Sequence, residues 1–183
     1  MPVAAAVADE LAAPLDVFVV RKLGLPGQPE LAMGALATGG VRVLNDDVLH
    51  AAAVPPRVLA EVTERESLEL AVRERRYRGD RPAPVLARRN VILVDDGLAT
   101  GATMRAAVAA ARLQQPARLV VGVPVAPRET VTAFERGGIE LVCVAVPDPF
   151  VAVGVWYRDF EPTTDDEVVA LIGETARDRR HQW

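Results

Sequence analysis

Residues 91–103, VILVDDGLATGAT, constrain this chain more than any other segment does. The four apolar residues Val91–Val94 are typical of a buried strand. Two adjacent carboxylates, Asp95 and Asp96, follow directly, and a loop of Gly, Ala and Thr leads into a segment with helical spacing. A strand that passes through a glycine-rich loop into a helix is typical of an open α/β sheet, in which ligands bind beyond the carboxyl ends of the strands.

The segments that follow continue the alternation of strand and helix. The sequence predicts a helix over Ala102–Leu113, a strand over Arg118–Val125, a helix over Pro127–Arg136 and a strand over Ile139–Val146. This order favours an α/β fold with a mostly parallel open sheet and helices on both faces.

The first half and the tail are less regular. Predicted helices cover Pro2–Ala13, Asn45–Ala53, Pro56–Tyr77 and a stretch near Asp165–Arg177, and predicted strands cover Leu15–Val20, Leu31–Ala37 and Val41–Leu44. Two stretches rich in Gly and Pro are predicted to be a loop, Arg21–Pro29, and a linker, Gly79–Ala87. We expect residues 1–146 to form a core, with 45–90 as a helical insertion that contributes to a small hood. Residues 147–183 are expected to supply the rest of the hood and a C-terminal helix.

Composition removes several classes of protein. The net charge of −4 argues against non-specific nucleic-acid binding, and no apolar run is long enough for a membrane span. His50 and His181 lie far apart in the sequence and without cysteine neighbours, which disfavours a zinc site, and Ser67 is not in a nucleophile motif. The single cysteine, Cys143, excludes an internal disulfide and favours a core thiol in a cytoplasmic protein.

The loop after Val94 has the chemistry of an anion site beside two acids. Gly97 and Gly101 permit close backbone approach, and the helix that follows offers unpaired N–H groups. Such a nest suits a phosphate. Asp95 and Asp96 would repel a phosphate alone, so they are expected to face sugar hydroxyls or Mg²⁺. Together these groups predict a ribose-phosphate ligand.

VILVDDGLATGAT resembles the phosphoribosyl-pyrophosphate motif of type I phosphoribosyltransferases, and only Gly97 departs from it, where a small apolar residue is usual. The resemblance implies that Asp95 and Asp96 bind the ribose hydroxyls and Mg²⁺. It implies that the ribose 5-phosphate lies against the loop and the helix start, residues Gly97, Leu98, Ala99, Thr100, Gly101, Ala102 and Thr103.

Two further segments resemble this family. Val19–Leu36 is similar to the strand, basic pair and mobile loop that precede the motif, which implies that Lys22, with Arg21 beside it, contacts pyrophosphate. The Gly24–Pro29 stretch would then begin a lid, on which Glu30 either assists or is merely exposed. Pro147–Tyr157 resembles the hood of the purine enzymes, in which an aromatic residue stacks on the base; Phe150 matches that residue, whereas Arg158 stands near the position of a typical Asp.

The resemblance also implies a further strand before the first helix, ending in an Arg-Gly-Gly loop that binds pyrophosphate. Met1-Pro2-Val3-Ala4 aligns with the residues just after that loop. Without this strand, we expect Leu15–Val20 to pair directly with Val91–Val94. We also expect the 183-residue chain to be poorly stable or inactive, and a version extended upstream to be active.

The implied reaction transfers ribose 5-phosphate from phosphoribosyl pyrophosphate to a nitrogenous acceptor such as a nucleobase, with Mg²⁺ as cofactor and release of pyrophosphate. Lys22, Asp95 and Asp96 are the expected catalytic residues. The alternatives are a regulator that binds phosphoribosyl pyrophosphate without catalysis, and a remnant or a module fused to another domain. The expected partners are small molecules, with no nucleic acid and no membrane. The acceptor and the oligomeric state stay open, and a homodimer is compatible with the sequence.

Overall fold

The computed structural model describes residues 1–178, excluding the side chains of Glu30 and of 174–178. The hypothesis for the Glu30 side chain, and any role of His181, lie outside the described residues. The strands are β1 (Val20–Leu25), β2 (Gln28–Ala37), β3 (Val41–Leu44), β4 (Asn90–Val94), β5 (Arg118–Val125) and β6 (Glu140–Ala145). The helices are α1 (Pro2–Glu10), α2 (Asp46–Ala51), α3 (Pro56–Arg78), α4 (Ala102–Leu113), α5 (Arg128–Arg136) and α6 (Asp165–Asp178), with a 3-10 helix over Val153–Trp156.

The second half of the chain forms the predicted parallel sheet. β5 lies in the centre and pairs in parallel with β4 on one side and β6 on the other. On one face of this sheet Leu93, Val121 and Val123 pack in a buried cluster with residues of α4 and with Phe134 of α5. This parallel sheet, with α4 and α5 packed on it, confirms the predicted α/β fold class.

The opposite face of the parallel sheet is apolar and largely uncovered in the described part of the chain. Ile92, Val142 and Val144 point to this side and are 41%, 56% and 84% exposed. A shallow apolar groove runs between these residues and α1, where Val3 and Val7 line it. This exposure is unusual because parallel sheets normally bury both faces.

The first half forms a separate antiparallel sheet in the order β1-β2-β3, and here the prediction for Leu15–Val20 and Arg21–Pro29 was wrong. Residues 15–19 do not form a strand, and the predicted loop Arg21–Pro29 is part of a β-hairpin that turns at Pro26–Gly27. Gly27 takes a φ of +83° there, a conformation that suits glycine in a tight turn. The hairpin forms because it buries Leu23 against Met33. The Gly and Pro residues of this segment indicate a loop by themselves, but here they form the turn of the hairpin.

The expected direct pairing of Leu15–Val20 with Val91–Val94 is also wrong. β4 stands at the edge of the parallel sheet, and β1 stands at the edge of the antiparallel one. The backbone of Val19 is bonded instead to Thr38, whose hydroxyl accepts the Val19 N–H at 2.9 Å. The Thr38 N–H in turn donates to the Val19 carbonyl at 2.9 Å. Val19 thus extends the hairpin instead of pairing with β4, although its neighbours Phe18 and Val20 pack against the cluster that contains Leu93.

Arg78, the last residue of α3, is a buried cation that ties several segments together. It is 5% exposed. Its Nε donates to Asp16 at 2.8 Å, one terminal nitrogen donates to Glu74 at 2.9 Å, and the other donates to the Val17 carbonyl. The last nitrogen also lies 3.4 Å from the Thr38 hydroxyl. Arg78 therefore anchors the extended segment before β1 to the end of α3.

The C-terminal helix packs on the first half of the chain. The Tyr77 hydroxyl donates to Asp165 at 2.6 Å, Arg76 pairs with Asp165, and Val168 and Ile172 bury against Val17. The division into a core and a hood stays a prediction. Between residues 1 and 178, none of the helices is both long and apolar enough to cross a bilayer.

We expect the Arg78→Ala variant to be destabilised by about 3 kcal/mol, because it leaves the carboxylates of Asp16 and Glu74 without their shared cation. Urea unfolding followed by circular dichroism measures this change. The matched control is Arg75→Ala, on an exposed position of the same helix turn, which should cost less than about 0.5 kcal/mol. Equal stability of the two variants would contradict the anchoring role.

Candidate functional site

The loop between β4 and α4 lies over the carboxyl end of the central strand β5. The Asp95 N–H approaches the Gly122 carbonyl at 3.3 Å, and the Leu98 N–H donates to the Val125 carbonyl at 3.0 Å. Leu98 is 3% exposed and belongs to the core of the parallel sheet. These two hydrogen bonds fix residues 95–98 of the loop to β5.

The residues of the loop divide into supporting and exposed ones. Gly97, Leu98 and Gly101 are buried, and their positions are set by packing. The others face solvent at the helix start, namely Ala99, Thr100, Ala102 and Thr103. These exposed residues lie at the carboxyl end of the parallel strands and at the N-terminus of α4, where ligands bind in many open α/β sheets.

Asp95 and Asp96 are both half-buried at the end of β4. A side-chain oxygen of Asp95 accepts the Asp96 N–H at 3.0 Å. Burial raises the pKa of Asp95 above its ordinary value of 3.8, and the negative charge of Asp96 raises it further. Two partly desolvated acids side by side favour a partner that supplies hydroxyl groups or positive charge.

Gly97 is the position at which the motif departs from the family pattern, and packing gives the reason. A Cβ on residue 97 would lie 2.7 Å from a methyl carbon of Val153 and 2.9 Å from one of Val125. Both neighbours are β-branched and stiff, so they cannot easily move aside. Glycine is therefore favoured at residue 97 by the close packing of Val153, in the 3-10 helix, and of Val125, in β5.

Gly101 lies directly before α4 and takes the left-handed conformation, with a φ of +69°. A Cβ there would lie 2.6 Å from a ring carbon of Phe134 and 3.2 Å from the Thr130 methyl carbon. The first N–H groups of the helix point away from its body without intrahelical acceptors, although the Ala102 N–H lies 3.4 Å from the Thr100 hydroxyl. Together with the helix dipole they can bind an anion.

Two hydroxyl groups from outside the motif bond to carbonyls of the loop, and sequence reasoning missed both. Thr130 of α5 donates to the Ala99 carbonyl at 2.6 Å. Tyr157, after the 3-10 helix, donates to the Asp96 carbonyl at 2.5 Å, and its ring packs on Phe160 at 5.0 Å between centroids. The only available signal was topological, since α5 begins at the carboxyl end of β5, next to the loop.

The other predicted site residues lie elsewhere in the fold. Arg21 and Lys22 are on β1, in the antiparallel sheet, and face opposite sides of it. The Arg21 guanidinium donates to Glu66 of α3 at 2.7 and 3.0 Å. Lys22, the next residue of β1, lies at the surface. Phe150 is half-buried in the segment after β6. The basic pair, Arg21 and Lys22, therefore lies in a strand of one sheet, and the acidic pair, Asp95 and Asp96, follows a strand of the other. The roles of Arg21, Lys22 and Phe150 in binding stay predictions.

The acidic pair is not part of a larger metal-binding cluster. Among the side chains that the structure describes, no three or more of His, Cys, Asp or Glu come together to hold a metal ion. Two adjacent carboxylates nevertheless fit Mg²⁺, which commonly takes one or two protein carboxylates and completes its shell with water and substrate phosphates.

Comparison with known proteins finds similar sequences and a similar solved structure. No protein-family model matches the chain. Two proteins of Mycobacterium tuberculosis, from strains CDC 1551 and H37Rv, are 47% identical to it over 178 residues and are provisionally named phosphoribosyl transferases. The match covers 97% of this chain but 40% of each relative, so the chain spans about two fifths of their length.

A solved structure is similar over most of both chains. The crystal structure of TT1426 from Thermus thermophilus is 40% identical in sequence, with a TM-score of 0.79. The alignment covers 93% of this chain and 80% of TT1426. At this identity and coverage, the two proteins share a common fold and a common ancestor.

We expect Asp95→Asn to raise the thermal midpoint at pH 7. Because burial raises the pKa of Asp95 in the folded state, its charge destabilises the fold at neutral pH, and stability is recovered only as the carboxyl is protonated. The gain from Asn should therefore vanish below the ordinary pKa of 3.8. Thermal unfolding between pH 3 and 8 measures it, with Asp80→Asn as an exposed control. A loss of stability at pH 7 would show that the charge is favourably paired.

We expect Gly97→Ala to destabilise the protein by about 1–3 kcal/mol, because the new methyl group overlaps the side chains of Val153 and Val125. Adding Val153→Ala should recover part of that loss. The control is Gly122→Ala, whose Cβ would have its nearest neighbour at 3.7 Å and which should cost little. Chemical denaturation of the four proteins checks this, and a Gly97→Ala variant as stable as the parent would refute the contact.

Proposed function

We propose a function for this chain from the premise that it belongs to one protein family with TT1426, and that it is homologous over nearly its whole length to proteins provisionally named phosphoribosyl transferases. The chain binds phosphoribosyl pyrophosphate at the β4–α4 loop and transfers its ribose 5-phosphate to a nitrogenous acceptor. The observation that carries this proposal is the placement of two half-buried carboxylates beside the exposed N-terminus of α4.

The 5-phosphate would bind the exposed part of the loop. The N–H groups at the start of α4 and the hydroxyls of Thr100 and Thr103 would donate to its oxygens. Gly97, Leu98 and Gly101 support this surface from below, since they are buried and packed. The Leu98 N–H is already bonded to Val125, so Leu98 would act through packing.

The ribose would bind Asp95 and Asp96, whose oxygens accept hydrogen bonds from its hydroxyls. These carboxylates would also hold Mg²⁺ together with the substrate. Bound Mg²⁺ supplies positive charge that stabilises the departing pyrophosphate. The protein's part is to hold the sugar in one orientation, which lowers the entropic cost of the reaction.

The pyrophosphate and the acceptor would lie on the sides of the loop that face the first half of the chain and the tail. Lys22 is the proposed cation for pyrophosphate, because it matches the lysine that contacts pyrophosphate in the family that this segment resembles. Phe150 is the proposed stacking surface for a planar acceptor. The hairpin of β1 and β2, which turns at Pro26–Gly27, is the proposed lid.

Binding without transfer is a second candidate, and one observation favours it. Of the two cations assigned to the pyrophosphate side, Arg21 is paired with a carboxylate and its charge is largely balanced. A protein that binds the donor but stabilises its leaving group weakly would be a sensor of phosphoribosyl pyrophosphate. Release of pyrophosphate in the presence of nucleobases separates the two candidates.

We expect wild-type protein to bind phosphoribosyl pyrophosphate in calorimetric titrations with Mg²⁺, and Asp96→Asn to weaken that binding about tenfold, because a hydrogen bond to a charged acceptor is lost. The same variant should leave the affinity for inorganic phosphate nearly unchanged, since phosphate would contact the exposed loop and the helix start and not Asp96. Asp80→Asn is the control. Equal losses for both ligands would contradict the assignment of Asp96, and a wild-type protein that binds neither ligand would refute the proposed function.

A further inference from the structure

We infer that Thr130 is a positioning residue for phosphate binding: its hydroxyl holds the Ala99–Thr100 peptide so that the Thr100 N–H faces the ligand. This inference rests on the proposed function, because it concerns the same loop. Thr130 lies outside the motif, 31 positions after Ala99, in the first turn of α5.

The contact is well defined. The Thr130 side chain is almost wholly enclosed, with the residue 4% exposed, and its hydroxyl donates to the Ala99 carbonyl at 2.6 Å. Its own N–H donates to Pro127 at 3.0 Å, so the residue is fixed by the start of α5. A buried donor with one short bond orients its acceptor strongly, because no water competes for it.

The planarity of the peptide group passes this constraint to the next residue. In a trans peptide the carbonyl oxygen and the following N–H point in opposite directions. Because the Ala99 carbonyl is turned toward α5, the Thr100 N–H is turned away from it. Ala99 and Thr100 are both exposed, so an anion can reach this side of the peptide.

Thr130 also limits the other end of the same short segment. Its methyl carbon lies 3.2 Å from the place that a Cβ on Gly101 would take, and a ring carbon of Phe134, one turn further along α5, lies 2.6 Å from the same place. Thr100 is therefore held between a hydrogen bond on one side and a packing contact on the other. Without the hydroxyl, the Ala99 carbonyl can rotate toward water and carry the Thr100 N–H out of alignment.

The test measures affinity and amide signals in the full 183-residue chain. Thr130→Val replaces the hydroxyl by a methyl group of similar size, and Thr130→Ala removes the same hydroxyl without adding bulk beside Gly101. Thr130→Ser keeps the hydroxyl. Thr38→Val is the matched control, since Thr38 is a fully buried threonine whose hydroxyl bonds to Val19, away from this loop.

We expect Thr130→Val and Thr130→Ala to lose about tenfold in affinity for inorganic phosphate and for phosphoribosyl pyrophosphate, as for the loss of one well-aligned bond to a charged group. Thr130→Ser should bind nearly as wild type. Thr38→Val should lose thermal stability and keep its affinity. In nuclear magnetic resonance titrations with phosphate, the Thr100 amide proton should shift downfield in wild type and move little in Thr130→Val.

The outcomes separate the inference from the function on which it rests. If wild type binds neither ligand, the proposed function fails and the inference fails with it. If wild type binds and the two variants without the hydroxyl bind equally well, the inference alone is overturned. A Thr130→Ser variant as weak as Thr130→Ala would also overturn it, because the hydroxyl would then not be the group that acts.

Discussion

The first half of this protein depends on one buried guanidinium. Arg78 closes α3 and joins it through Asp16 and Val17 to the extended segment that leads into β1. That segment has no strand partner until Val19, so side-chain bonds replace the ladder that would otherwise hold it. A planar guanidinium suits this place because its five N–H donors stand in fixed directions on three nitrogens, whereas a lysine ammonium offers three donors from one nitrogen.

The parallel sheet could be predicted closely from the sequence, whereas the antiparallel sheet could not. Ala102–Leu113 and Arg118–Val125 are bounded as predicted, because apolar period, loop residues and length all agree there. The segment Arg21–Pro29 was interpreted as a loop because its Gly and Pro residues suggest a break. Tertiary burial of Leu23 and a turn at Pro26–Gly27 make it a hairpin instead.

The motif residues of the site could be located from sequence, but not what holds them. The order of acids, glycines and threonines places Asp95 to Thr103 at the end of β4 and the start of α4. The hydroxyls of Thr130 and Tyr157 that bond to this loop come from other elements, and no local pattern marks them. The glycine at position 97, where the motif usually has a small apolar residue, is explained by the close packing of Val153, which the sequence does not indicate. Long-range contacts of this kind depend on the folded topology.

The uncovered face of the parallel sheet has a consequence for the energetics of unfolding. Ile92, Val142 and Val144 already contact water in the folded chain, so unfolding exposes less new apolar surface than in a sheet buried on both faces. Heat-capacity change and denaturant sensitivity both scale with newly exposed surface. This chain should therefore have a flatter dependence of stability on temperature, and a broader denaturant transition, than a two-sided α/β domain of equal length.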